Sequence, residues 1–188
     1  MFIHTKKDLR QRILTLLRNQ KEEERLAKSL AILDKLFKKP EFQKAGIILF
    51  YASLGGEVNT FEMMKRAQKS GKIIGLPYMV REERKLIPAL VESLENDLVS
   101  GPYGVKQPRH MDQSRTLNVK DLDLVIVPGV AFDGHNNRLG RGLGYYDRFL
   151  KGLSSDTPSI GLAFDFQIVD RLPLQEKHDM PVSCVLVN

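Results

Sequence analysis

The sequence has one cysteine, four histidines and no apolar run approaching the ~20 residues of a membrane span. Each scarcity excludes something. Cys184 alone forms no intramolecular disulfide, and its place in the apolar run VSCVLV predicts a buried, inert thiol rather than a nucleophile. His4, His110, His135 and His178 are scattered, and with a single cysteine they make no recognisable metal site. The opening residues MFIHTKKDLRQRI turn charged almost at once, without the apolar core of a signal peptide, which predicts a cytoplasmic protein that does not engage a membrane. There is no long arginine-lysine tract, no internal repeat and no low-complexity segment.

What is present fits one unit over residues 1–188, two N-terminal helices followed by an α/β core. The apolar fraction of 42% and charged fraction of 28% are ordinary for a globular chain. A net charge of +6 favours an anionic partner, either nucleic acid or a polyanionic small molecule.

The hydrophobic period changes along the chain. Residues 5–18 read as a helix, with Thr5 as cap and Leu9, Ile13, Leu16 and Leu17 on one face. Residues 22–37 repeat the pattern with Leu26, Leu30, Leu33 and Phe37, and Pro40 is expected to end that stretch. GIILFY (46–51) then reads as a buried parallel strand, followed by a loop whose Thr60 is expected to cap a helix closed by Gly71. Further strands are expected at 72–77, 85–91, 122–129, 159–164 and 183–187, with a helix from about 143 to 153. Residues 92–120 read as a long ordered loop. Alternating strands and helices predict an α/β fold: a three-layer α/β/α sandwich with a mostly parallel sheet, open at the strand carboxyl ends, where ligands bind.

The densest chemistry lies beyond one of those ends. RLGRGLGYYDRF (138–149) sets Gly140, Gly142 and Gly144 at alternate positions beside Arg138 and Arg141. Glycines permit tight backbone with amides turned inward, and arginines supply planar donors for phosphate or carboxylate. Asp147 follows, where it either complements a helix start or ligates Mg2+ beside phosphates. No Gly-Lys-Ser/Thr follows, so this is no Walker loop, and the glycine spacing is not the dinucleotide fingerprint. Composition alone leaves an anion site and a structural turn both open.

The longer stretch PGVAFDGHNNRLGRGLGYYDR (128–148) closely resembles the signature of the 5-formyltetrahydrofolate cyclo-ligase family. The resemblance extends to Lys6, Leu9 and Arg10 near the start, to EVNTFEM, GPYGVKQP and HDMPVSCVLV, and so to nearly the whole chain. It implies an ATP- and Mg2+-dependent conversion of 5-formyltetrahydrofolate to 5,10-methenyltetrahydrofolate through a phosphorylated formyl group. ATP is then a co-substrate, Mg2+ the cofactor and a reduced folate the partner, with no nucleic acid involved and a monomer expected. The resemblance assigns ATP to Lys6, Arg10 and the loop Arg138, Leu139, Gly140, Arg141, Gly142, Leu143, Gly144, Tyr145 and Tyr146. It assigns folate to Ala52, Glu57, Tyr103, Arg141, Gly142, Leu143, Gly144 and Tyr145, with Glu57 on the pterin edge. Arg138, Arg141 and Tyr145 are the implied catalytic residues, and Asp147 and Asp179 the implied Mg2+ ligands. Without the resemblance, Lys6 and Arg10 read as a solvated basic helix face and Glu57 as a loop glutamate. Tyr103 stands where the family often has tryptophan, and Leu143 where a lysine can occur. Two other classes are compatible with a basic α/β chain: an RNA-binding module, and a phosphosugar isomerase that consumes no ATP.

Overall fold

The structure, a computed structural model, describes residues 5–173, 176 and 178–188; His4 lies outside them. Thr5 does cap α1 (Lys6–Asn19), accepting the Asp8 amide at 3.1 Å, and the helix buries Leu9, Ile13 and Leu17. Helix α2 (Glu22–Phe37) follows and buries Ile32, Leu33 and Leu36. Pro40 comes after the end of α2 and opens a further short helix, α3 (Pro40–Lys44), at a first-turn position where a missing N–H costs nothing.

Next come β1 (Ile47–Leu49), α4 (Thr60–Lys69), β2 (Ile73–Val80) and β3 (Lys85–Leu90). The expected cap of α4 moves by one residue. Asn59 accepts the Phe61 amide at 3.1 Å, while Thr60 turns inward and donates to the Tyr51 carbonyl at 2.6 Å. That inward bond braces the loop that carries Glu57.

The segment expected to be a long loop contains a hairpin, β4 (Leu98–Ser100) with β5 (Lys106–Pro108), and Thr116 bridges to Ala89 of β3. The pairs are three residues long, too short to show a two-residue hydrophobic period. Then come β6 (Leu124–Val127), β7 (Ala131–Asp133), β8 (Arg138–Leu139), α5 (Tyr145–Lys151), β9 (Ser159–Ala163), β10 (Ile168–Val169) and β11 (Cys184–Val187). Cys184 is half-buried rather than enclosed, and burial raises its thiol pKa.

The main sheet has the order β11-β9-β6-β1-β2-β3, parallel throughout except for the β2–β3 hairpin. Central strands β6 and β9 are buried along their whole length, as expected for strands covered on both faces. One face presents Ile48, Ile74, Leu124, Ile126 and Ile160 to α1, α2, α3 and α4. The other presents Leu49, Val125, Val127 and Ala163 to α5. This is the expected three-layer sandwich, with its helices unevenly divided.

From β1 the chain steps outward to β2 and β3, whereas from β6 it steps the opposite way to β9 and β11. The strand order therefore reverses between the neighbours β1 and β6. Their carboxyl ends, at Leu49 and Val127, diverge into loops and leave a crevice of the kind in which open α/β sheets bind ligands.

Candidate functional site

Two clefts meet at that crevice. One, of about 310 Å3, is lined by Tyr51, Ala52, Leu54 and Glu57 after β1, by Pro128, Gly129 and Val130 after β6, and by Pro77, Met79 and Leu86 of the β2–β3 hairpin. Tyr103, Val105, Arg141, Tyr145 and Tyr146 complete it. The other, of about 450 Å3, is lined by Lys6, Arg10, Arg84, Arg148 and Lys151, with Leu139, Gly142, Glu176, His178 and Asp179. Arg138, Gly140, Leu143, Gly144 and Asp147 line both, and so form a shared wall.

The shared wall is held from beneath by a buried carboxylate. Asp133, at the end of β7, accepts the His135 amide, the Asn137 amide and side chain, and the Leu172 amide at 3.0–3.2 Å. These bonds fix the 133–137 turn, whose Asn136 has φ +60, and so the start of β8 where Arg138 stands. Burial pushes the Asp133 carboxyl up, but the Asn137 amide and the backbone donors outweigh it, leaving the pKa below the ordinary aspartate value.

Arg138 has only 3% of its side chain exposed. Its Nη2 donates to Asp147 Oδ1 at 2.7 Å, its Nη1 to the Pro128 carbonyl at 3.3 Å, and its Nε is buried without a partner among the described residues. Asp147 also accepts the Met180 amide at 3.3 Å. Gly144 has φ +67, where any other residue would be strained, and a Cβ there would lie 2.9 Å from the Arg148 guanidinium.

Across the basic cleft, Lys6 donates to Asp179 at 2.6 Å and lies 3.6 Å from Glu176. Burial raises the Asp179 carboxyl pKa, yet the Glu176 amide and Lys6 outweigh it and the net direction is down. Arg10 donates its Nε to the Gly140 carbonyl at 2.9 Å, joining α1 to the glycine loop.

Across the apolar cleft, Glu57 accepts the Leu54 amide at 2.9 Å with one oxygen and Arg141 at 2.6 Å with the other. Gly56 makes this loop possible: its φ is +86, and a Cβ there would meet the Leu17 carbonyl of α1 at 2.4 Å. Burial pushes the Tyr51 and Tyr146 hydroxyls well up, with the Glu57 charge adding to both and Arg138 opposing at Tyr146.

The sequence-assigned residues thus divide between the clefts. Lys6, Arg10, Leu139, Gly142 and Asp179 line the basic cleft alone, whereas Ala52, Glu57, Tyr103, Arg141, Tyr145 and Tyr146 line the apolar cleft alone. Sequence reasoning missed Tyr51, Met79, Leu86, Arg84, Arg148 and Lys151. The hairpin residues had no motif to betray them, although Arg148 stands in the same turn of α5 as Asp147.

The chain matches the model of the 5-formyltetrahydrofolate cyclo-ligase family over residues 3–188. The chain belongs to the 5-formyltetrahydrofolate cyclo-ligase family. It is 35% identical over 188 residues to the 5-formyltetrahydrofolate cyclo-ligase of Mus musculus, covering 96% of this chain and 92% of that one. It is 30% identical over 148 residues to the cyclo-ligase of Escherichia coli strain K12, covering 78% and 80%. The NMR structure of the Aquifex aeolicus 5,10-methenyltetrahydrofolate synthetase superimposes with a TM-score of 0.83 at 34% identity, covering 97% of this chain and 89% of that one. As a member of the cyclo-ligase family the chain is an enzyme, a ligase whose reaction closes a ring on a formylated reduced folate.

A divalent cation is tested by the donor set. No group of three or more His, Cys, Asp or Glu side chains among the described residues could enclose a metal. Asp147 and Asp179 do both border the basic cleft. That donor set suits an ion held by one or two carboxylates together with phosphate oxygens and water, the usual arrangement for Mg2+, and not an all-protein cage.

Proposed function

We propose that this enzyme converts 5-formyltetrahydrofolate and ATP to 5,10-methenyltetrahydrofolate, ADP and phosphate, with folate in the apolar cleft and the ATP phosphates in the basic one. The observation that carries this reading is the shared wall. A reaction that moves a phosphoryl group from a polyanion to an amide-like oxygen on a largely uncharged, ring-bearing part of its co-substrate needs two unlike sites that open on one another. Arg138, Gly140, Leu143, Gly144 and Asp147 border both.

The chemistry follows from what the formyl group lacks. Its oxygen is a poor leaving group, and phosphorylation converts it to a good one. The formyl oxygen attacks the γ-phosphorus and ADP departs, leaving an imidate phosphate. N10 then attacks the formyl carbon, loses its proton, and expels phosphate as the ring closes. The protein's task is alignment and charge stabilisation, which dominate phosphoryl transfer.

Each cleft has groups for its part. The Glu57 carboxylate can accept paired N–H donors from an aminopyrimidine edge, while Tyr103, Met79 and Tyr145 offer apolar surface to the ring system. Lys6, Arg10 and Arg138 supply positive charge for phosphate oxygens. Arg141 and Tyr145, which line the apolar cleft, would face the formyl-bearing end of folate once Glu57 has engaged the substrate, and Gly142 and Tyr146 belong to the same loop region. Asp147 and Asp179 would hold Mg2+, which would neutralise phosphate charge during the transfer. The chain is read as one working unit over 1–188, a cytoplasmic monomer; among the described residues no helix is long and apolar enough to cross a membrane.

The decisive experiment incubates the protein with 5-formyltetrahydrofolate, ATP and MgCl2 and follows the near-ultraviolet absorbance of methenyltetrahydrofolate alongside ADP release. One ADP per product is expected, and EDTA should abolish both signals. Product without ADP, or turnover indifferent to EDTA, would sink the reading.

A further inference from the structure

The β2–β3 hairpin turn and the glycine loop lie far apart in sequence and are joined by one side chain. Arg148 of α5 donates its Nε to the Arg84 carbonyl at 2.9 Å and its Nη2 to the Leu143 carbonyl at 2.8 Å. Its guanidinium sits 5.8 Å from the centre of the Tyr145 ring and against Gly144, where a Cβ would come within 2.9 Å of it. A planar guanidinium fixes the relative directions of its two donors, which a lysine ammonium on a flexible stem does not.

The bond to Leu143 has a consequence for the wall. In a trans peptide the carbonyl and the following N–H point in opposite directions, so fixing the Leu143 carbonyl fixes the Gly144 N–H. Gly144 borders both clefts, and its amide donates to nothing among the described residues. Arg10 acts likewise on the Gly140 carbonyl, which sets the Arg141 N–H, also without an acceptor among the described residues. Two arginines thus pin two peptide planes of one loop, and each leaves an amide available to a ligand.

We propose that Arg148 is a positioning residue for phosphoryl transfer. By bridging the Leu143 and Arg84 carbonyls it orients the 143–144 peptide of the shared wall and docks the hairpin turn against it. Its charge is already turned to backbone carbonyls, so its role is geometric rather than direct phosphate contact. This rests on the reading of the basic cleft as the ATP side.

The test compares Arg148→Ala and Arg148→Lys with the wild-type full-length enzyme, with steady-state kinetics in each substrate, calorimetric binding of ATP with Mg2+ and of 5-formyltetrahydrofolate, and thermal melting. In Arg148→Ala, kcat is expected to fall about tenfold or more and the KM for ATP to rise several-fold, with a smaller loss of folate affinity, because the hairpin it docks lines the apolar cleft, and a melting temperature near wild type. Arg148→Lys keeps the charge but not the fork, and is expected to resemble Arg148→Ala. Full activity in Arg148→Lys would show that charge alone matters and overturn the proposal, as would wild-type kcat in Arg148→Ala. Equal losses for both substrates together with a lowered melting temperature would assign Arg148 to fold maintenance instead. A wild-type protein that does not bind ATP would overturn the reading of the cleft and this proposal with it.

Discussion

The two clefts share a wall and differ in almost everything else. The basic cleft is assembled from side chains with fixed electrostatic partners: Lys6 on Asp179, Arg10 on the Gly140 carbonyl, Arg138 on Asp147. The apolar cleft is assembled from strand ends and a hairpin, and within it Glu57 and Arg141 have been left to pair with each other. On the proposed reading, one side would recognise charge with preset donors. The other would recognise shape, and it holds the exposed Glu57–Arg141 pair in addition to the buried Arg138–Asp147 pair of the shared wall. Folate bound through Glu57 would take Arg141's partner, so the free guanidinium would appear inside the apolar cleft itself, next to the bound substrate.

The comparison breaks most completely at Arg138, which belongs to both sides. Arg138→Ala would strand the Asp147 carboxylate, and removing one partner of a buried pair costs about 3–5 kcal/mol. Turnover should fall by ~10^2–10^3 or more, the range for losing one preorganised donor to transition-state charge. Calorimetry should find both ligands weakened. Normal folate binding in a folded Arg138→Ala protein would mean that the wall belongs to the phosphate side alone.

Glu57→Gln sharpens the comparison by separating the ligands. Glutamine offers one acceptor where the pterin edge needs two, so 5-formyltetrahydrofolate affinity should drop by roughly 2–4 kcal/mol. The change also frees Arg141, but Arg141 lines the apolar cleft alone, so ATP affinity measured without folate should hardly change. Paired titrations check this; a collapse in ATP affinity with normal folate binding would reverse the assignment of the clefts.

The same contrast explains what was legible in the sequence. The basic cleft is partly written as a motif, in the loop from Arg138 to Asp147, whereas Lys6 and Arg10, one helical turn apart, read as a solvated basic face until the family resemblance assigns them. The sandwich was legible too, since strands buried on both faces, such as LVIV of β6, read as unbroken apolar runs. The apolar cleft was mostly illegible without the family resemblance. Met79 and Leu86 reach it only because β2 and β3 pair antiparallel, a tertiary fact with no local signature. The cap of α4 was misplaced for a similar reason: Asn59 and Thr60 have equal capping chemistry, and the choice is made by the Tyr51 carbonyl, which gives Thr60 a buried partner.

Asp133 tests whether both clefts stand on one support. Its carboxyl is depressed in the folded state, so its contribution is present above the unfolded value of ~3.9 and is lost as pH falls through the lower folded value. Asp133→Asn should destabilise the protein by about 1–3 kcal/mol at neutral pH and flatten the acid limb of the stability curve below pH ~4. Denaturant unfolding across pH measures this. An unchanged acid limb would mean that the turn beneath Arg138 does not depend on the carboxylate.

The smallest effect is expected at Tyr103, on the outer rim of the apolar cleft, and it should carry opposite signs for folding and binding. Tyr103 is 56% exposed and has φ +60, a left-handed backbone that costs a bulky residue roughly 1–2 kcal/mol. Its ring has an arginine, Arg81, at 5.6 Å, a contact worth only about 0.5–1 kcal/mol at an exposed site. Glycine accepts that backbone freely, so Tyr103→Gly should leave stability unchanged or slightly raised while removing an aromatic plate from the folate. Folate affinity should fall by about 0.5–1.5 kcal/mol, the scale of one aromatic contact, and ATP affinity should not move, since Tyr103 does not reach the basic cleft. Tyr103→Trp should move folate affinity the other way. Lost stability with unchanged folate binding would show that Tyr103 serves the fold, and that the apolar cleft ends short of it.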